Sequence, residues 1–263
     1  MTDWIKYAER EVFETYGERV DARARGKSLL KFGRFDALGT SVATVWQQGG
    51  NEVLATTNAI DKVSSSSADD EQIITIEGHT VTGTGTSSRF TFITQDVTLA
   101  GQAETALATP LARVSRAYIK VPTVAGGGFA GDFYVYEDDT VTGGVPQTAD
   151  NIHMKILSGQ TQSYKAATTF SDSEYAFVTR LIVSVNKKTS ATVDFQLEVK
   201  APGSVFRPRL RISAASTGSN TISVPFEPYL IVPKNSDIRV QGVSSSSATE
   251  VDASFHCVLA KVK

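Results

Sequence analysis

The chain has 263 residues, of which 41% are hydrophobic and 21% charged, with a formal net charge of −2. That length holds one large or two ordinary domains, and the near-neutral balance excludes a global electrostatic pull toward nucleic acid or membrane. The single cysteine, Cys257, excludes an intramolecular disulfide and fits a reducing compartment.

The first predicted element is a helix over residues 2–25. Trp4, Ala8, Val12 and Tyr16 recur every four residues, with Ile5, Phe13 and Val20 widening the apolar stripe. Thr2 or Asp3 serves as the N-cap. The opening Thr2-Asp3-Trp4-Ile5-Lys6 lacks the apolar core of a signal peptide, and no run in the chain has the length of a membrane span. From residue 19 onward come Arg19, Arg23, Arg25, Lys27, Lys31 and Arg34 against a single Asp21. This basic stretch reads as an arm that docks on an acidic partner surface. A solvated helix end with cations at the negative pole of its dipole accounts for the same charges.

Everything after Phe35 reads as β: short alternating segments divided by Gly, Ser, Thr, Asn and Pro. Arg89–Leu99 alternates Phe90 and Phe92 with Thr91 and Ile93. Asp132–Tyr136 places Phe133 and Val135 on one face, Tyr134 and Tyr136 on the other. Phe177–Val185 groups Phe177, Leu181, Val183 and Val185. Val193–Lys200 puts Val193, Phe195, Leu197 and Val199 inward and Asp194, Gln196, Glu198 and Lys200 outward. Val251–Leu259 closes the series. Many short strands without amphipathic helices between them predict antiparallel sheets in a sandwich or jelly roll.

One phrase occurs twice. Val63-Ser64-Ser65-Ser66-Ser67-Ala68 returns as Val243-Ser244-Ser245-Ser246-Ser247-Ala248, each copy leading into an apolar strand pattern. The repetition points to two similar β units in tandem. The turn-rich Val141-Thr142-Gly143-Gly144-Val145-Pro146 marks the boundary region between them. The predicted organisation is a helical, basic arm over 1–35, a first β-sandwich over 36–150 and a second, jelly-roll-like sandwich over 151–263.

Residues of chemical interest are few. Arg25-Gly26-Lys27-Ser28 ends like a phosphate-binding loop, but Asp21 stands where the first glycine is required, so the backbone cradle is missing. His256 and Cys257 are strand neighbours and point to opposite faces; Cys257 shares a face with Val251, Phe255 and Leu259 and reads as a small buried hydrophobe. Asp252, Ser254 and His256 share the other face at a spacing too wide for direct hydrogen bonding. His79 and His153 are isolated, and no spacing resembles a zinc site. The acidic clusters Asp69-Asp70-Glu71 and Glu137-Asp138-Asp139 suit a loop calcium site or ordinary charged turns. Tyr134 and Tyr136 form either a subunit contact, the favoured reading, or a sugar platform. No general acid, base and nucleophile converge, so no enzymatic activity and no cofactor are expected.

Several motifs resemble, in this order, a family of virion structural proteins of tailed phages, met especially in cyanophages and other marine or freshwater phages. They are Phe32-Gly33-Arg34, Leu38-Gly39-Thr40 and Thr44-Val45-Trp46; the first serine tract; Ile74-Thr75-Ile76-Glu77-Gly78; Arg113-Val114-Ser115-Arg116-Ala117-Tyr118; Gly131-Asp132-Phe133-Tyr134-Val135; Pro202-Gly203-Ser204-Val205-Phe206-Arg207; and Ile231-Val232-Pro233-Lys234-Asn235-Ser236-Asp237-Ile238. The resemblance implies a non-enzymatic component of the virion, assembled in the cytoplasm of a host bacterium. The expected role is a capsid cement or decoration protein, a homotrimer held to the major capsid protein by the arm residues Trp4, Tyr7, Val12, Tyr16, Arg19, Arg23, Arg25, Lys27, Lys31 and Arg34. The alternative is a neck, tail or fibre component with host-glycan binding. Nucleic acid and membrane are not expected partners.

Overall fold

A computed structural model describes residues 27–123, 127–187 and 189–261. The predicted helix and the arm residues Trp4, Tyr7, Val12, Tyr16, Arg19, Arg23 and Arg25 lie outside the described residues.

The described chain is mainly β. Its strands are β1 (Lys27–Leu38), β2 (Ala43–Thr44), β3 (Ile60–Ser65), β4 (Ile73–Thr82), β5 (Arg89–Thr98), β6 (Thr105–Leu111), β7 (Arg113–Val121), β8 (Phe133–Glu137), β9 (Val141–Thr142), β10 (Val145–Pro146), β11 (Ile152–Ile156), β12 (Ala167–Thr169), β13 (Glu174–Asn186), β14 (Ala191–Lys200), β15 (Arg207–Ser216), β16 (Ser219–Val232), β17 (Asp237–Ser244) and β18 (Thr249–Lys261).

The strands form two sandwiches, and one is nested in the other. One sheet runs β1-β18-β13-β16; facing it, β17-β14-β15 is completed by β2 and β12, which both pair with β17. β2 and β12 are two pieces of a single strand. Ala43 and Thr44 oppose Gly242 and Gln241, and Ala167, Thr168 and Thr169 continue the same ladder opposite Arg239, Ile238 and Asp237. At the break, Val45 N–H donates to the Val240 carbonyl (2.9 Å), Val240 N–H to the Ala166 carbonyl (2.9 Å) and Ala166 N–H to the Val45 carbonyl (3.0 Å). Counted as one, the split strand makes eight strands in the orders 1-8-3-6 and 2-7-4-5, the arrangement of a jelly roll.

The other sandwich leaves at Trp46 and returns at Lys165, which face each other across an antiparallel bridge. It pairs β11-β8-β3-β6 with β5-β4-β7. The two cores follow this division. Ile60, Val63, Ile76, Leu111, Phe133 and Val135 fill the inserted core. Leu38, Val45, Phe195, Leu197, Val240 and Phe255 fill the jelly-roll core, which draws on both ends of the described chain. The tandem division at 150 and the arm boundary at 35 therefore do not match the strand pairing. Residues 27–35 belong to β1, which pairs with β18 along most of its length. Leu29, Lys31, Gly33 and Phe35 alternate inward with a period of two, the spacing of a strand. Lysine at an inward position conceals that pattern from a hydrophobicity reading.

The repeated serine phrase marks a local corner. Ser65 Oγ and Ser244 Oγ each accept the N–H two residues on (3.2 Å) and each bond the side chain five residues on, Asp70 and Thr249. Both corners carry the chain from one sheet to the facing one, yet β3 opens the inserted sandwich and β17 is the penultimate strand of the jelly roll. The bonding serine is the second of the tract in one copy, Ser65, and the first in the other, Ser244, and the strands around the two copies are not equivalent.

Candidate functional site

The densest group of functional side chains lies where the two sandwiches meet. β7 brings Arg113 from the inserted sandwich against Asp237 at the start of β17. The pairing is bidentate, with Nε to Oδ1 at 2.8 Å and Nη2 to Oδ2 at 3.2 Å, and both side chains are less than a tenth exposed. A planar guanidinium suits such a fork. Its remaining nitrogen donates to the carbonyls of Ala55 (2.5 Å) and Ala112 (2.7 Å). Thr169 Oγ1 adds a bond to Asp237 (2.7 Å), and the Phe90 ring lies 4.9 Å from the guanidinium carbon.

A second buried pair sits at the root of the insertion. Lys165 Nζ bonds Glu52 and donates to the carbonyls of His153 (2.9 Å) and Val114 (3.0 Å). The Trp46 ring covers it at 5.3 Å. Trp46 is pinned in turn, its indole N–H shared between Gly49 and Gly50 carbonyls at 3.0 and 3.1 Å. Lys31 of β1 reaches across the seam to the Ser115 carbonyl of β7. Burial, and then the neighbouring Lys165 charge, push the Lys31 ammonium down to about 7. Burial also lowers Lys165, against the pull of Glu52.

Backbone contacts complete the clamp. Asn235 Oδ1 accepts the Phe90 N–H (2.8 Å), and Asp172 N–H donates to the Phe90 carbonyl (2.9 Å). On the jelly-roll side Arg239 pairs with Glu198 at 2.9 Å and stacks on Phe206 at 3.7 Å. A narrow crevice lined by Glu52, Arg113, Lys165, Thr169, Phe206 and Asp237 opens on this seam and has room for about one water molecule. Each of its charged side chains already holds a protein partner. The arrangement joins the two sandwiches through buried polar contacts.

Lys31 titrates near neutrality, whereas the buried histidines and the cysteine do not. Burial lowers His79 to about 4 and His153 to about 3, so both imidazoles are neutral. Cys257 is buried in the jelly-roll core, and burial pushes its thiol up to about 12, which withholds the thiolate. Among the described residues no group of three His, Cys, Asp or Glu side chains is placed to hold a metal ion.

Among the described residues, the sequence-predicted contact residues do not converge. Lys27 is exposed at the start of β1. Lys31 is spent on the seam. Arg34 bonds Asp36 (2.6 Å) and Glu250 (2.9 Å) within its own sheet. Tyr134 and Tyr136 are buried, 5% and 0% exposed, packed with Ile152 beneath the hairpin formed by β9 and β10. The face expected to meet a neighbouring subunit or a sugar is thus filled by the protein's own Val141 and Val145, and the stretch taken for a boundary is its lid. Sequence reasoning missed the clamp residues Arg113, Asp237, Lys165 and Glu52. Their one visible signal is isolated charge beside apolar neighbours, as in Leu111-Ala112-Arg113-Val114.

The fold also separates charge. Residues 46–165 carry thirteen acidic and seven basic side chains, a net of −6, whereas 27–45 with 166–261 carry nine and thirteen, a net of +4. The near-neutral total conceals this polarity.

No protein-family model matches the chain, and no curated protein matches it. Among solved structures, it is similar to a chain of the empty virus-like particle of cowpea mosaic virus at 6% identity and a TM-score of 0.25, covering 81% of this chain and 86% of that one. It is also similar to a chain of the T13 particle of infectious bursal disease virus at 10% identity and a TM-score of 0.22, covering 100% and 82%. Likenesses at these TM-scores carry no argument.

Proposed function

We propose that this protein is a non-enzymatic structural component of a tailed-phage virion, specifically a head accessory protein that decorates the capsid shell as a trimer. The observation that carries the reading is the buried clamp between a jelly roll and the sandwich inserted in its split strand. Buried charge in the described seam is spent on holding two bodies in fixed relation, with Arg113–Asp237 and Lys165–Glu52 as the pins. A jelly roll is an architecture used by capsid and lectin domains, and fold alone does not decide between such roles. The ordered motifs from Phe32 to Ile238 tip the balance toward the virion. Rigid two-body units with opposite charge on their halves suit contacts that span subunit joints in a shell under internal pressure. Residues 1–26 are the portion we assign to the shell contact, because the chain from Lys27 onward is committed to β1.

The test is localisation and copy number. A density map of the particle is expected to show this protein on the head in hundreds of copies. A few tens of copies at a neck or tail would replace this reading with the tail or fibre role. A chain that starts at Lys27 is expected to fold and fail to decorate heads. Deletion to residue 36 is the wrong test, since it removes most of β1.

A further inference from the structure

The root of the insertion holds a buried amine against a buried carboxyl group. Lys165 Nζ lies 2.5 Å from Glu52 Oε1, and the two side chains are 2% and 4% exposed. The carbonyls of His153 and Val114 take two more directions around Nζ, at 2.9 and 3.0 Å. Carbonyls only accept, so they fix two N–H bonds, and the third direction is left for Glu52. When the third proton crosses to Oε1, Nζ is an amine whose lone pair faces the carboxyl group. Burial favours that neutral form of Lys165. Trp46, itself 2% exposed, covers the amine with its ring. The crevice lined by Glu52 and Lys165 has room for about one water molecule.

We propose that Lys165 and Glu52 join spontaneously into an amide, an intramolecular isopeptide bond that closes the insertion at its root. Nζ attacks the Glu52 carboxyl carbon, an N–C bond forms, and a C–O bond of the carboxyl group breaks. Of the three protons of the ammonium, one stays on the amide nitrogen and two leave with the oxygen as water, so the step needs no oxidant, reductant or co-reactant. The crevice receives this water. Arg113 lines the same crevice and supplies positive charge for the oxygen that becomes anionic in the tetrahedral intermediate. Two groups held in contact by a folded chain react at a very high effective concentration, and exclusion of bulk water withholds the reverse hydrolysis. Chain position gives the bond its use. Glu52 follows the exit at Trp46, and Lys165 is the point of return, so the amide makes residues 52–165 a closed covalent loop. Its effect is one that an ion pair lacks: the root stays shut after the fold has melted.

The bond is independent of the virion reading, because its test needs only the purified full-length chain. The intact mass is expected to fall short of the sequence mass by one water molecule. A tryptic digest is expected to contain a branched peptide joining residues 35–62, which hold Glu52, to residues 156–180, which hold an uncleaved Lys165. Lys165→Arg and Glu52→Ala are each expected to show the full mass of their own sequence and to lack the branched peptide. A parent chain at full sequence mass, or a missing water traced to an unbranched peptide, would overturn the proposal. If neither variant folds, the mass and the digest of the parent decide alone.

Discussion

The amide of Ala166 donates to the carbonyl of Val45 over 3.0 Å, although the entire inserted sandwich lies between them in sequence. That bond stitches the split strand, and Gly33 of β1 passes directly over it. A Cβ at Gly33 would stand 2.2 Å from both Ala166 N and Val45 O, which are backbone atoms with no freedom to retreat. Gly33→Ala is therefore expected to destabilise the fold by more than about 3 kcal/mol, at the severe end of single substitutions. Urea denaturation checks it; an unchanged midpoint would mean that β1 does not approach the stitch.

Arg113 and Asp237 are expected to be strongly coupled. Arg113→Met leaves a buried carboxylate with only the Lys200 ammonium, 3.8 Å away, at a cost of about 3 kcal/mol, the low end for a broken buried pair. Asp237→Leu strands the guanidinium in the same way. The double variant is expected to lose much less than the sum of the two singles, because each removes the other's unpaired charge. Additive losses in a double-mutant cycle would show that the pair does not pin the sandwiches.

Stability is expected to depend on pH in two windows. His79 and His153 have folded values of about 4 and 3, below the unfolded 6.5, so the unfolded chain takes up protons first. Their contribution is complete above pH 6.5 and declines as pH falls toward 3–4. Lys31, at about 7 when folded against an unfolded 10.5, makes stability rise with pH from 7 toward 10.5. Each group contributes up to about 1.4 kcal/mol per pH unit inside its window. Denaturation at pH 7 and pH 9 checks the second window, and Lys31→Met is expected to flatten that slope. Above pH 9 the Cys257 thiol, raised to about 12, works in the opposite direction.

Tyr136 tests the lid. Its hydroxyl lies 3.2 Å from Glu104 Oε1, and its ring is fully covered. Tyr136→Phe is expected to cost about 1 kcal/mol and Tyr136→Ala about 3–5 kcal/mol in thermal or urea melts. A surface platform tyrosine would tolerate both changes with little loss of stability.

Facing was legible in the sequence; partnership was not. The alternation in Val193–Lys200 correctly puts Phe195 and Leu197 into the core, because period two reports which side a residue takes. The same pattern is silent about which strand lies alongside. Hence β1 pairing with β18, and β2 sharing its ladder with β12, could not be read from any local window. Phe177 to Val185 was read as one face, but a bulge between Val178 and Arg180 lets Val178 and Leu181 both turn inward. Tyr134 and Tyr136 were rightly set opposite Phe133 and Val135; that their face has its own cover depends on a hairpin of four short-strand residues. The clamp left little trace because a lysine or arginine in a strand reads as solvent-facing, and only its distant partner shows otherwise.

The pairing of β1 with β18 has a consequence for biosynthesis. The first described strand acquires its ladder partner only when the last has left the ribosome, whereas every strand of the inserted sandwich emerges long before. The nested unit can collapse first and hold Trp46 and Lys165 together, while the nascent jelly roll keeps a naked edge until β18 has been made. Slow synthesis of residues 249–261 would prolong that exposure.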